Sequence, residues 1–189
     1  MIPSSLGDKF SFFIGKGLSN SGSGSSGGVM AAVQACVDNG ANVVSMSLGG
    51  GAPSQAASDF YRGLYETNDV LIIAAAGNGG NSALSYPASY ESIMSVAAVD
   101  SNESRASFSQ YNDQVEIAAP GVVVKSTLPN NVYTAWSGTS MATPHVAAVA
   151  GILRMYFPQC KVSDAGRCCR SMVWFSVAGL PIANLSVQP

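Results

Sequence analysis

Gly138-Thr139-Ser140-Met141-Ala142-Thr143-Pro144-His145 places a serine hydroxyl at the mouth of a helix. Upstream, Trp136-Ser137 ends an extended run and Gly138 allows a tight turn. Downstream, Val146 to Tyr156 reads as a buried helix through Ala-Ala-Val-Ala-Gly-Ile-Leu. Unpaired N–H groups and the positive end of the dipole at a helix N-terminus favour a developing oxyanion beside an attacking oxygen, which makes Ser140 the candidate nucleophile. Pro144 is expected in the first turn, where its missing N–H costs no hydrogen bond. Standing alone, a serine before an apolar helix is most simply a cap. The nucleophile elbow of the α/β-hydrolases needs glycine two residues after the serine, and Ala142 stands there, so that fold is disfavoured.

Working outward, strands and helices alternate. Phe10 to Ile14 is a short apolar run. Gly28 to Asp38 reads as a helix with Val29, Ala32, Val33, Cys36 and Val37 on one face, and Val43 to Leu48 as a strand. Ser54 to Asn68 reads as a helix, Val70 to Ala76 and Ile93 to Val99 as buried strands, and Val115 to Ala119 and Val132 to Trp136 as later strands leading to Ser140. This order predicts an α/β fold of three layers, a mainly parallel sheet flanked by helices, with right-handed crossovers and ligands beyond the carboxyl ends of the strands. With 189 residues, 47% hydrophobic and 11% charged, the chain has the length and apolar content of one domain. A net charge of -2 without a basic run leaves no footprint for nucleic acid or an anionic membrane. The apolar runs are too short and too broken by glycine to span a bilayer, and Met1 to Ser5, followed by Asp8-Lys9, does not read as a signal peptide.

At residues 138–145 the chain resembles the subtilisin-like serine proteases, whose serine motif is Gly-Thr-Ser-Met-Ala, then Ser or Thr, then Pro-His. Two further segments agree in order and separation. Ser45-Met46-Ser47-Leu48-Gly49-Gly50 is similar to the family's substrate-binding strand, and Ala74-Ala75-Ala76-Gly77-Asn78 to the strand end that carries its oxyanion-hole asparagine. The resemblance runs from about Ile14 to Tyr156 and implies a serine endopeptidase acting on polypeptides. Ser140 would attack, Asn78 and the Ser140 N–H would stabilise the oxyanion, and Ser47-Leu48-Gly49 would pair with the extended substrate. Ala75, Gly77 and Ser85 map to the pocket for the residue before the scissile bond, and their small size suggests a roomy, uncharged pocket for large apolar side chains. Taken alone, Asn78 between Gly77 and Gly79 also suits a turn.

The same resemblance exposes a departure. The family carries an Asp-Thr/Ser-Gly motif and a His-Gly-Thr-His motif that supply the orienting aspartate and the base, and neither occurs here. The sole histidine, His145, lies five residues after Ser140 and about 140° around the helix, so it cannot face the hydroxyl and is expected to pack beneath the site. The chain therefore reads as the carboxyl-terminal part of a catalytic domain, a single partial domain over 1–189. Its ends, 1–9 and 171–189, are unmatched, and an amino-terminal catalytic segment is expected as a partner. The alternative is a non-catalytic peptide-binding or structural remnant. The family is mostly secreted and needs no cofactor. It often binds calcium, and a weak site here would use the carbonyls of Ala88, Tyr90 and Ile93 with the carboxylate of Glu116, where aspartate is more usual.

Two cheaper patterns weigh less. Gly22-x-Gly24-x-x-Gly27 spells a dinucleotide loop, but no acidic residue follows about twenty positions on, and Ser/Gly-rich sequence produces such matches freely. Under the resemblance the segment is a flexible loop near the substrate cleft. Of four cysteines, Cys36 reads as a core residue, Cys160 could pair with Cys168 or Cys169, and no zinc spacing is present.

Overall fold

The computed structural model describes residues 10–162. Helix α1 (Ser26–Asp38) starts at Ser25, whose hydroxyl accepts from the Gly28 N–H at 3.1 Å. Strand β1 (Val43–Met46) follows. Helix α2 (Gln55–Glu66) is capped in the same way by Ser54, and strand β2 (Leu71–Ala75) follows it. Then come β3 (Ile93–Val99), β4 (Val115–Pro120), β5 (Val124–Leu128), β6 (Val132–Trp136) and α3 (Thr139–Tyr156).

The strands β1-β2-β3-β4 lie in that order, all parallel, with Val43 opposite Leu71 and Ile72 opposite Ile93. Every residue of β2 is buried, because both faces are covered. Ile72 and Ala74 face a core shared with Val29 and Val33 of α1 and Tyr61 and Leu64 of α2. Leu71 and Ile73 face the opposite core, shared with Ala142, Val146 and Ala150 of α3. That alternation produces the three layers expected from the sequence. Burying each large aliphatic side chain contributes about 1.5–3 kcal/mol, so β2 anchors both cores.

Several expectations change in detail. The strand expected over Val43 to Leu48 ends at Met46, releasing 47–51 as the cleft rim. Of the crossovers within the sheet only β1 to β2 runs through a helix; β2 to β3 and β3 to β4 cross through loops. Strand β6 lies outside the main sheet, in an antiparallel hairpin with β5 that pairs Val124 with Trp136, and Asn130 and Asn131 take positive φ in its turn. Phe10 to Ile14 forms no ladder among the described residues: Phe12 and Ile14 are 77% and 84% exposed. The chain instead presses Gly15 and Gly17 onto α1, where a Cβ on Gly15 would stand 2.8 Å from the Ala32 carbonyl oxygen. Pro144 is the sixth residue of α3, which begins at Thr139, so it sits in the second turn rather than the first. Cys36 is half-buried against the first core and its thiol is free. Cys160 is disulfide-bonded; the partners expected for it, Cys168 and Cys169, lie outside the described residues. Among the described residues no helix is long and apolar enough to cross a membrane.

Candidate active site

Neighbouring parallel strands end on the same side of the sheet, so the segments after β1 and β2 arrive together and meet the first turn of α3. Ser140 is the second residue of that helix, where its backbone N–H has no intrahelical acceptor. Its hydroxyl lies 3.4 Å from the Ser47 carbonyl. The opposite contact is shorter: the Ser47 hydroxyl donates to the Ser140 carbonyl at 2.8 Å. The helix itself cannot satisfy that carbonyl through the usual i+4 donor, because position 144 is proline and has no N–H. The Ser47 hydroxyl fills the resulting vacancy.

Asn78 lies just beyond β2 and is exposed. Its Oδ1 accepts from the Thr139 N–H at 2.8 Å and from the Thr139 hydroxyl at 3.0 Å, while that hydroxyl lies 3.3 Å from the Gly77 N–H as its acceptor. With the oxygen held by Thr139, the Nδ2 group is the end of the carboxamide left to donate outward. Asn78 and the Ser140 N–H therefore flank one region at the positive end of α3, an arrangement suited to a negative oxygen.

A cavity of about 240 Å³ opens beside this region, lined by Ala75, Gly77 and Ser85, by Leu48 and Gly49, and by Gln110. Ser47 does not line it. It lines a second cavity, of about 360 Å³, between the Gly22–Ser26 loop and residues 48–51. Tyr61 and Tyr90 wall that cavity, and burial, reinforced by the charge of Tyr90, pushes the Tyr61 phenol up from 10.0 to about 12. His145 is half-buried, with Nδ1 2.8 Å from the Met141 carbonyl of its own helix.

Ala88, Tyr90 and Ile93 lie ahead of and at the start of β3. Glu116 is the extra residue where the β3–β4 register shifts, since Ser95 faces Val115 and Val96 faces Ile117. Backbone carbonyls and carboxylates are the ligand types that calcium takes. Among the described residues no cluster of three or more His, Cys, Asp or Glu could hold a metal.

Sequence reasoning missed two residues here. Thr139 lies inside the quoted motif, so its hydroxyl could have been tested as a partner for Asn78. Gln110 carries no local signal: it is distant in sequence from Gly79 and Ala83, which it bonds.

A serine at a helix N-terminus and an asparagine beyond a neighbouring strand, brought together at the carboxyl ends of a parallel sheet, are the marks of a subtilisin-type α/β protein. The Subtilase (Peptidase_S8) profile matches residues 10–173, and the chain belongs to that family. It is 42% identical over 153 residues to Subtilisin DY of Bacillus licheniformis, covering 79% of this chain and 56% of that protein. It is 45% identical over 136 residues to Thermitase of Thermoactinomyces vulgaris, covering 72% and 48%. The psychrophilic subtilisin-like protease Apa1 from the Antarctic psychrotroph Pseudoalteromonas sp. AS-11 superposes with a TM-score of 0.71 at 26% identity, covering 78% of this chain and 68% of that one. The chain thus spans about half the length of these curated relatives.

Proposed function

We propose that this chain carries the nucleophile, oxyanion hole and substrate strand of a serine endopeptidase. The observation that carries the reading is the Thr139–Asn78 pair, which fixes the carboxamide oxygen and leaves the amide beside the start of the Ser140 helix. In the reaction, the Ser140 oxygen bonds to the substrate carbonyl carbon and its proton passes to a base. The carbonyl oxygen becomes the anion held by Asn78 and the Ser140 N–H. The C–N bond then breaks with the proton returned to the leaving amine, and water cleaves the acyl-serine. Ser47-Leu48-Gly49 pairs with the extended polypeptide, and the cavity lined by Ala75, Gly77 and Ser85 takes the side chain before the bond.

The base and its carboxylate belong to a segment outside these 189 residues. Supplied with that segment, fused or in trans, the chain should hydrolyse a chromogenic peptide with a large apolar residue before the bond, and Ser140→Ala should abolish this. Asn78→Ala should lower turnover by about 10²–10³ with little change in binding, a magnitude known from subtilisin rather than worked out from this geometry. Unchanged turnover in Asn78→Ala would remove that residue from the site. One observation favours the second reading, a non-catalytic peptide-binding remnant: His145, the sole histidine, is turned to the Met141 carbonyl. The isolated chain should accordingly react poorly with a fluorophosphonate, and robust labelling lost in Ser140→Ala would overturn that expectation. Secretion and calcium at Ala88, Tyr90, Ile93 and Glu116 belong to the same proposal; a calcium-dependent rise in thermal midpoint, lost in Glu116→Gln, tests the latter.

A further inference from the structure

Asn78 stands in a segment poorly suited to holding anything still. Gly77 precedes it with φ 114°, Gly79 and Gly80 follow, and Gly80 has φ 63°. Glycine-rich backbone has the most conformational freedom to lose. Thr139 fixes the Asn78 carboxamide oxygen, and its hydroxyl accepts from the Gly77 N–H at 3.3 Å, but it makes no bond to the backbone on the Gly79 side.

One residue does both sides. The Gln110 N–H donates to the Gly77 carbonyl at 3.0 Å, and its Oε1 accepts from the Gly79 N–H at 2.6 Å. The other end of the same carboxamide is braced, with Nε2 donating to the Ala83 carbonyl at 3.0 Å. A Cβ on Gly77 would come within 3.0 Å of the Gln110 side-chain carbon, so the amide lies against that glycine. Gln110 is only 7% exposed. A buried carboxamide is costly unless its groups are bonded, and here the bonds flank a single exposed residue, Asn78.

We propose that Gln110 is a positioning residue for Asn78, clamping residues 77 and 79 so that the Asn78 amide stays aimed at the space beside Ser140. The inference rests on the proposed role of Asn78, although the clamp itself does not. Gln110→Met keeps the length of the side chain and removes its acceptor.

Two measurements on the 189-residue chain test this separately. In amide hydrogen exchange, Gln110→Met should speed the Gly79 N–H at least about tenfold and leave unchanged the Leu71 N–H in β2, which donates to the Asn42 carbonyl far from Gln110. Unaltered Gly79 exchange overturns the clamp, and equal acceleration at both amides reduces it to a general loss of stability. The second measurement is the affinity for a tetrapeptide acid ending in phenylalanine, whose carboxylate serves as the probe for Asn78. Gln110→Met should weaken binding about five- to tenfold, roughly 1–1.4 kcal/mol, and by less than twofold in an Asn78→Ala background. An equal loss in both backgrounds overturns action through Asn78. If the unmutated chain does not bind the peptide, the reading of the cleft fails, while Gly79 exchange still decides the clamp.

Discussion

The contact between Ser47 and Ser140 can be isolated by a double-mutant cycle. Ser47→Ala removes the hydroxyl that donates to the Ser140 carbonyl at 2.8 Å but leaves the Ser47 backbone carbonyl, near which the nucleophile's own hydroxyl lies. A net hydrogen bond is worth about 0.5–1.5 kcal/mol, and leaving a buried acceptor bare costs about 1–3 kcal/mol. Ser47 is exposed and Ser140 half-buried, so water can reach the carbonyl and the loss should be about 1 kcal/mol. For a chain of this size that is about 2–4 °C in Tm. Pro144→Ala restores an N–H at the position four residues on, and the helix can then satisfy the carbonyl itself. In that background Ser47→Ala should cost less than about 0.5 kcal/mol, the scatter expected of uncoupled sites. Urea unfolding of the four chains, followed by circular dichroism, measures the coupling. Equal losses in both backgrounds would show that the serine hydroxyl does not stand in for the missing helix donor.

Asp69→Asn should destabilise the chain by an amount near the low end of about 3–5 kcal/mol, because Arg154 is a buried cation whose side chain is only 6% exposed. The variant keeps the acceptor for the Val162 N–H, 2.6 Å away, and the urea midpoint would contradict the argument if the loss were below about 1 kcal/mol. Tyr61 has its folded pKa raised, so its contribution to stability is fully present below pH 10.0 and is lost as pH rises toward about 12. Tyr61→Phe should flatten that alkaline decline in urea midpoint, and an unchanged decline would place its origin elsewhere. Phe12 and Ile14 are exposed, and among the described residues no strand pairs the outer edge of β1, so the isolated chain should bind a hydrophobic dye. Phe12→Ser with Ile14→Ser should reduce the signal, and absence of dye fluorescence in the unmutated chain would refute this.

Legibility in the sequence followed how local each cause is. The run Val70 to Ala76 read as a buried strand because both faces of β2 are apolar, and Ser54 to Asn68 read as a helix, which the structure narrows to Gln55–Glu66 with Ser54 as its cap. Ser140 and Asn78 stand out as candidates only through family strings. Strand β5 was not, because Lys125-Ser126-Thr127 is exposed and is held by pairing with β6 rather than by burial. Phe10 to Ile14 read only as a short apolar run, and among the described residues it forms no strand, because a strand also needs a neighbour to pair with. Pro144 was misplaced because the helix begins several residues before its apolar pattern does, at Thr139. Gln110 acts wholly across distant chain contacts, which no local pattern encodes.

Helix α3 lies against all four strands of the main sheet, with Ala142, Val146 and Ala150 fully buried and Ser140 at its head. The serine is therefore carried by one of the most cooperative units of the molecule, in contrast to the glycine-flanked Asn78. Heating should not loosen Ser140 gradually. The serine should keep its place until the second core melts and lose it in the same transition, so the alignment of Asn78 would drift first while the nucleophile stayed in register with the sheet.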